Sequence, residues 1–214
     1  MSCPEQTLVV PLPVLKSIYK LTNLDVEVTG YITFDKAGKT NMVKMNNDSK
    51  VLSTSPPGYD VVFHTHPNDY KRLFPDHPSV IDVETTNYII CTREETQAHL
   101  IFTPKFLYIL KGACVLMPEN EDPMSPQQIF NACGRAHPDR NSQSFRDCYL
   151  GTLQSRGLIR YRKIPWDSMT GDLSLCVEHV SYWRDWLRVH RNVVFASVAG
   201  LLVLGFVALT PKRS

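Results

Sequence analysis

The chain has 214 residues, of which 43% are hydrophobic and 21% are charged, and its formal net charge is +2. Because domains usually contain about 100–200 residues, this length fits one ordinary domain and a smaller remainder. The composition excludes a disordered chain. The small net charge excludes a broad basic surface, so we expect no nucleic-acid partner.

The first part of the sequence predicts a helix followed by a β-hairpin. Residues 12–23 carry apolar side chains at near-helical spacing, with Pro13 in the first turn. Residues 26–34 contain several β-branched and aromatic side chains, which favour a strand. A turn-forming segment follows at 35–38, so residues 40–45 are predicted to form the returning strand.

The middle of the sequence predicts strands on either side of one helix start. Residues 59–63 are a short apolar strand that runs directly into the tetrapeptide 64–67, His-Thr-His-Pro. A loop follows, and a helix is predicted to begin at Ser79. Residues 87–91 and 99–110 are rich in apolar β-formers, so we expect further strands there.

A proline-rich, acidic stretch at 117–126 predicts a domain boundary. We therefore divide the chain into a domain at 1–117, a small and mostly helical accessory region at 118–190, and an anchor at 191–214. Within the accessory region the sequence predicts a helix from a capping box at 125–128, a helix at 144–154 and a strand at 158–164.

Residues 193–210 contain no charged residue and no proline. As a helix they would span about 27 Å, close to the roughly 30 Å hydrocarbon core of a bilayer, so we expect a single-pass C-terminal anchor. A buried core helix is the alternative. Basic residues flank the segment, three before it and two after it: Arg184, Arg188, Arg191, Lys212 and Arg213. This imbalance places the N-terminal part on the cytoplasmic side, and the N-terminus lacks the features of a signal peptide.

The six cysteines are scattered along the sequence and include no C-x-x-C pair. A chain of this length has no need of disulfides to complete its core. We therefore expect reduced thiols and no zinc site built from cysteine.

The most informative pair in the sequence is His64-x-His66 at the end of a predicted strand. Side chains two residues apart on a strand point to the same face, so both imidazoles can reach one point. A divalent metal ion requires such convergence, and neutral imidazole is a favoured zinc ligand. A structural or solvent-exposed histidine pair is the alternative interpretation.

Two further polar features accompany these histidines. Ser79 is placed as the N-cap of a helix, with Asp82 three residues later, which is either a plain capping box or a metal-binding carboxylate near the helix start. Glu27 lies among β-forming residues, where a carboxylate is costly to bury unless it is paired. It is either solvated on an edge strand or a general base for a metal-activated water.

Together, the segments 27–30 (Glu-Val-Thr-Gly), 64–67 (His-Thr-His-Pro) and 78–82 (Pro-Ser-x-x-Asp) resemble the JAMM motif of the MPN/JAB-domain metalloproteases. That motif has a glutamate, then H-[S/T]-H-P, then S-x-x-D, in this order. The resemblance covers roughly residues 8–116. It implies an α/β fold with a mixed-sheet MPN domain and flanking helices, to which the accessory region and the transmembrane helix would be added.

The resemblance also implies the roles of the site residues. His64, His66 and Asp82 would bind Zn²⁺, Glu27 would be the general base, and Ser79 would hydrogen-bond the water or the oxyanion. The family cleaves isopeptide bonds to ubiquitin-like proteins, and some members cleave other amide substrates. We therefore expect a membrane-anchored zinc peptidase or isopeptidase acting on a protein substrate, such as one carrying ubiquitin or a ubiquitin-like modifier.

The sequence departs from the family pattern in one loop. Twelve residues separate His66 from Ser79, where the family usually has seven. Such an insertion costs little stability, but it reshapes the cleft beside the metal. Asp76 and His77 in this loop are additional candidate ligands.

Two other functions remain open from the sequence. The first is a catalytically silent MPN-fold scaffold in a larger membrane-associated assembly, such as a virion. The second is a J-domain-like cochaperone, suggested by His-Pro-Asp at 137–139. Against the second, the helix predicted before this tripeptide is too short for a J-domain, and the first J-domain helix has no counterpart.

Overall fold

A six-stranded mixed β-sheet organises the part of the chain that the computed structural model describes, namely residues 6–46, 59–68, 76–93, 95–112 and 125–177. The strands are β1 Thr7–Val10, β2 Thr29–Phe34, β3 Thr40–Asn46, β4 Asp60–Thr65, β5 Thr96–Phe102, β6 Phe106–Gly112, β7 Ile159–Pro165 and β8 Leu173–Cys176. The helices are α1 Leu12–Tyr19, continued by a 3₁₀ turn at Lys20–Asn23, α2 Val80–Thr92, α3 Pro126–Ala136 and α4 Gln143–Ser155; a second 3₁₀ turn spans Trp166–Ser168.

The strand order in the main sheet is β3-β2-β4-β5-β6-β7. β4 and β5 are parallel, and the other neighbouring strands are antiparallel. β1 and β8 form a separate antiparallel pair. The predicted mixed α/β class is therefore confirmed for the described residues.

Alternation along the strands divides the core between the two faces of the sheet. Leu100 and Phe102 of β5 belong to a buried cluster that includes side chains of α1, β1 and β8. Ile101, between them, belongs to a second cluster that includes side chains of α2, α3 and α4. This is the period of two that a strand covered on both faces requires. Val61 and Phe63 of β4 lie in the first cluster, so His64 points to the face covered by α2.

The strand predicted at 87–91 is wrong, because these residues continue helix α2. Its buried side chains include Val83, Thr86, Ile89 and Ile90, which share one face at helical spacing. Packing of this face against the sheet overrides the strand preference of the two isoleucines.

The strand predicted at 99–110 is two strands, β5 and β6. They are separated by a tight turn in which the Thr103 amide donates to the Phe106 carbonyl. Pro104 lies in this turn, where its missing amide donor costs nothing. The predicted strand at 26–34 begins only at Thr29, which leaves Glu27 just before β2. β1 and β8 were not predicted.

Residues 125–177, assigned to an accessory region from the sequence, belong to the same compact unit as residues 6–112. The helices predicted at its start and at 144–154 are confirmed as α3 and α4, and the strand predicted at 158–164 is confirmed as β7. β7 is an edge strand of the main sheet, paired with β6 over its whole length. Among the described residues no helix is long and apolar enough to cross a membrane; the predicted anchor at 191–214 lies outside them.

The prediction of reduced cysteines is wrong for the described part of the chain. Cys133 on α3 and Cys148 on α4 form a disulfide with Cα atoms 5.8 Å apart. Cys91 and Cys176 each take part in a disulfide as well. The sequence could not indicate this, because the pairing of Cys133 with Cys148 depends on how two neighbouring helices pack.

Candidate metal centre

The end of β4 and the start of α2 bring the predicted ligands together. His64 is the penultimate residue of β4, and His66 lies just beyond the strand, on the same face. The His66 amide donates to the Phe102 carbonyl at 2.7 Å, which extends the pairing with β5 past the end of β4. Because α2 covers this face and begins beside the end of β4, its first turn meets both imidazoles.

The distances between the three predicted ligands are short. The Nε2 atoms of His64 and His66 are 3.0 Å apart. Asp82 places Oδ1 3.2 Å from His64 Nε2 and Oδ2 3.3 Å from His66 Nε2. All three residues are buried, with exposed fractions of 6%, 2% and 9%.

Asp82 caps helix α2 and faces the histidines at the same time. The Ser79 amide donates to Asp82 Oδ2 at 2.6 Å, and the Asp82 amide donates to Ser79 Oγ at 3.2 Å. Burial would raise the pKa of the Asp82 carboxyl, but the charge of His64 and hydrogen bonds from His64 and His66 hold it well below its usual range. The capping box and a carboxylate aimed at the histidines, which were alternatives from the sequence, are therefore both present in Asp82.

Glu27 lies at the outer side of the cluster. Its side chain is 40% exposed, and its Oε1 is 3.9 Å from His66 Nε2. The side chain of Thr65 points to the opposite face from the histidines. Thr65 hydrogen-bonds the backbone of Val28, the residue that follows Glu27. Its Oγ1 accepts from the Val28 amide at 3.0 Å, and its own amide donates to the Val28 carbonyl at 2.9 Å. The threonine between the two histidines thus holds the Val28 backbone, and with it the segment carrying Glu27, beside the predicted ligands.

Ser79 supplies an oxygen at the same helix start. Its Oγ accepts the Asp82 amide hydrogen bond. A hydroxyl that accepts in this way retains its own proton as a donor. Ser79 can therefore cap α2 and still donate to a developing negative charge beside the cluster.

The donor set fits a small tetrahedral metal ion. Zinc bonds to imidazole nitrogen and carboxylate oxygen are about 2.0–2.2 Å long, so two ligands of a tetrahedral zinc ion lie about 3.3 Å apart. The separations among His64, His66 and Asp82 are 3.0–3.3 Å. One atom each from Glu27, His64 and His66 lies within 4.8 Å of the others, so this group too could hold a metal ion. Asp82 is the nearer carboxylate, with oxygens 3.2 and 3.3 Å from the two imidazoles, whereas the Glu27 oxygen is 3.9 Å from His66 Nε2.

The additional ligand candidates in the inserted loop point elsewhere. Asp76 Oδ2 accepts a hydrogen bond from the Lys105 ammonium at 2.6 Å. His77 is buried, with Nδ1 2.8 Å from the Pro78 carbonyl oxygen and Nε2 3.0 Å from that of Arg140. Burial lowers the pKa of His77. Residues 69–75 of this loop lie outside the described residues.

Sequence reasoning missed one residue next to the cluster, His99 on β5. Its Nε2 is 2.8 Å from His64 Nδ1. Burial, followed by the positive charge of His64, lowers the pKa of His99 to about 3. The only signal in the sequence was a histidine directly before the apolar run at 100–102. The parallel pairing of β4 with β5, which places His99 beside His64, was not predicted.

Comparisons of the chain with protein-family models, with curated proteins and with solved structures find no match. The functional interpretation therefore rests on the residues, their order along the chain and the geometry of the cluster.

Proposed function

We propose that the chain is a zinc-dependent peptidase or isopeptidase of the JAMM type, held at a membrane by its C-terminal segment. The observation that carries this proposal is the convergence of His64, His66 and Asp82 with Glu27 at the open side. Two Nε2 atoms lie 3.0 Å apart beside the Asp82 carboxylate, and a second carboxylate, that of Glu27, lies at the rim. The order of these residues along the chain is that of the JAMM motif.

A bound zinc ion supplies a Lewis acid that acidifies water and polarises the scissile carbonyl. Glu27, being half-exposed and next to the ligands, takes a proton from the attacking water and delivers it to the nitrogen of the leaving amine. Ser79 donates its hydroxyl proton in a hydrogen bond to the carbonyl oxygen as negative charge develops there. The three proposed ligands are buried, whereas the Glu27 side chain is 40% exposed, so Glu27 is the member of the group that solvent water reaches.

The substrate class follows from the resemblance. Members of that family cleave isopeptide bonds to ubiquitin-like proteins, so we propose a protein substrate that carries ubiquitin or a ubiquitin-like modifier. A membrane anchor would concentrate the site near membrane-associated substrates.

The activity can be tested with the full-length chain, purified in mild detergent and loaded with zinc, on isopeptide-linked ubiquitin chains. We expect the wild type to cleave them and Glu27→Gln to lower the rate about 100- to 10,000-fold, the usual contribution of a general base. Glu84→Gln removes the same charge from an exposed position on α2 and is the matched control. Equal cleavage by the wild type and Glu27→Gln would contradict the mechanism. A Glu27→Gln variant that retains full biological function would favour the scaffold instead.

The side of the membrane needs a revised proposal. The basic flanks of residues 193–210 favour a cytoplasmic N-terminal part, but disulfides persist mainly in oxidising compartments and at virion or cell surfaces. The Cys133–Cys148 bond therefore favours a domain that is exposed to an oxidising environment. Protection of residues 1–177 from added protease in intact membranes, lost on adding detergent, is the expected result for a luminal domain. Digestion without detergent would support the cytoplasmic orientation.

A further inference from the structure

A second buried imidazole lies directly behind the predicted ligand His64. His99 is on β5, which pairs in parallel with β4, and it is 5% exposed. Its Nε2 is 2.8 Å from His64 Nδ1, and its Nδ1 is 2.8 Å from the Thr86 hydroxyl oxygen. Thr86 lies one turn after Asp82 on α2 and is fully buried. A continuous chain of hydrogen bonds thus joins α2, β5 and β4.

The donor and the acceptor of each hydrogen bond can be assigned by starting from the Asp82 backbone carbonyl, which can only accept. The Thr86 hydroxyl is 2.6 Å from the Asp82 backbone carbonyl oxygen, which can only accept, so Thr86 donates its single proton there. The Thr86 oxygen must then accept from His99 Nδ1–H. A buried imidazole that contacts no carboxylate stays uncharged and has one N–H, so His99 Nε2 accepts. His64 Nδ1–H is consequently the donor to His99.

This direction determines which nitrogen of His64 is left for a metal ion. With its Nδ1 proton directed to His99, His64 offers Nε2, the atom that lies 3.0 Å from His66 Nε2 and 3.2 Å from Asp82 Oδ1. Only an unprotonated nitrogen binds a metal ion. Histidine ligands usually owe their tautomer to a carboxylate, a carbonyl or a water behind the ring. Here a second histidine, oriented by a threonine, occupies that place.

We propose that His99 is a positioning residue that holds His64 in the metal-binding tautomer, and that Thr86 sets the direction of His99. This inference rests on the proposed metal site, because it assigns a cause for the binding competence of His64. Helix α2 would thus contribute in two ways: it supplies Asp82, and through Thr86 it begins the series of hydrogen bonds that orients His64.

The test compares His99→Gln with His99→Met in the full-length chain. The two side chains are similar in length, but only glutamine offers an oxygen that accepts from His64 Nδ1–H. Zinc affinity is measured by competition with a chromophoric chelator. We expect His99→Met to weaken zinc binding about 10- to 100-fold, the usual effect of losing such a partner, and His99→Gln to weaken it much less. Equal weakening by both variants would assign His99 to packing alone and overturn the proposal.

A second measurement reads the tautomer directly. In ¹⁵N-histidine-labelled, metal-free protein, NMR should show His64 protonated on Nδ1 in the wild type and in Thr86→Ser, and a mixture of tautomers in Thr86→Val. An unchanged tautomer in Thr86→Val and in His99→Met overturns the proposal. Because this experiment uses no zinc, it decides the role of His99 even if the wild type binds no metal and the proposed enzyme function fails. The Thr86 pair also decides it if His99→Met does not fold.

Discussion

At the scale of single residues, the site reuses side chains that the fold already needs. Asp82 accepts the Ser79 amide to start α2, and the same carboxylate meets both imidazoles. Thr65 lies between the two histidines and hydrogen-bonds both backbone groups of Val28, next to Glu27. A substitution at such a residue should lower both the stability of the fold and the activity of the site. A variant that makes the same substitution away from the site lowers stability alone, so comparing the two separates the effects.

Ser79 and Ser125 form such a matched pair, because each is the N-cap of a helix with a complete capping box. Replacing either serine by alanine should lower the free energy of unfolding by about 1 kcal/mol through loss of the cap. Only Ser79→Ala should also slow cleavage, by about 100-fold, because only Ser79 can donate to the oxyanion. Chemical denaturation and initial rates measure the two effects. A similar loss of rate in Ser125→Ala would show that the effect on cleavage is structural.

Thr65 should affect the rate without affecting the metal. Thr65→Val leaves the buried Val28 amide without its side-chain acceptor, which costs about 1–3 kcal/mol and loosens the segment that carries Glu27. We expect bound zinc to remain near the wild-type amount while the cleavage rate falls. Thr65→Ser keeps the hydroxyl and should retain most of the rate. Loss of zinc in Thr65→Val would place Thr65 in support of the ligands instead.

At the scale of elements, the sequence predicted those that are set by local pattern. The helix at 12–23, the hairpin, β4 and the capping boxes of α2 and α3 follow from spacing and turn chemistry. The end of α2 did not, since Ile89 and Ile90 prefer strands and become helical only because they pack on the sheet. β1 and β8 are short strands that pair with each other although they lie near opposite ends of the described sequence, so no local pattern predicts them.

The buried cluster between the sheet and the helices contains two tyrosines, Tyr108 on β6 and Tyr149 on α4. The Tyr108 hydroxyl donates to the Asp76 carbonyl at 3.0 Å, whereas the Tyr149 hydroxyl has no hydrogen-bond partner within the described residues. Tyr108→Phe should therefore lower the free energy of unfolding by about 1 kcal/mol, and Tyr149→Phe should leave it unchanged or raise it. Urea denaturation at neutral pH measures both changes. A larger loss for Tyr149→Phe would contradict the assignment.

The same tyrosines predict how stability changes in alkali. Burial raises the pKa of Tyr108 and of Tyr149 above the unfolded value of about 10. Above that pH the unfolded chain releases protons that the native protein keeps, so the free energy of unfolding falls as the pH rises and is unaffected below it. The double variant with phenylalanine at both positions should show a shallower alkaline loss. An unchanged slope would contradict this origin.

The α3–α4 pair is joined by the disulfide between Cys133 and Cys148, which are separated by 15 residues in sequence. A loop of this size contributes about 3 kcal/mol in the chain-entropy account. Cys133→Ala combined with Cys148→Ala should therefore lower the free energy of unfolding by about 2–4 kcal/mol in denaturation experiments. Mass spectrometry of the unreduced wild type provides the control, because it should find these two cysteines linked.

At the scale of the whole molecule, the sequence predicted the mixed α/β class and the members of the site from the order of a motif. It did not predict that residues 125–177 complete the main sheet, because an edge strand so distant in sequence is determined by tertiary packing. The sequence also could not reveal His99, whose role depends on the parallel register of β4 and β5. The convergence of His64, His66 and Asp82 required both the strand face and the position of the α2 start.

The amount of zinc bound by the folded protein tests the central claim most directly. Elemental analysis of the full-length chain, after incubation with zinc and removal of the excess, should find about one zinc per chain, as a site with three protein ligands requires. His64→Ala and Asp82→Ala should abolish this binding, and Glu27→Gln should retain it, because Glu27 is proposed as the general base and not as a ligand. A wild-type protein that is folded by circular dichroism and binds no zinc would contradict the account.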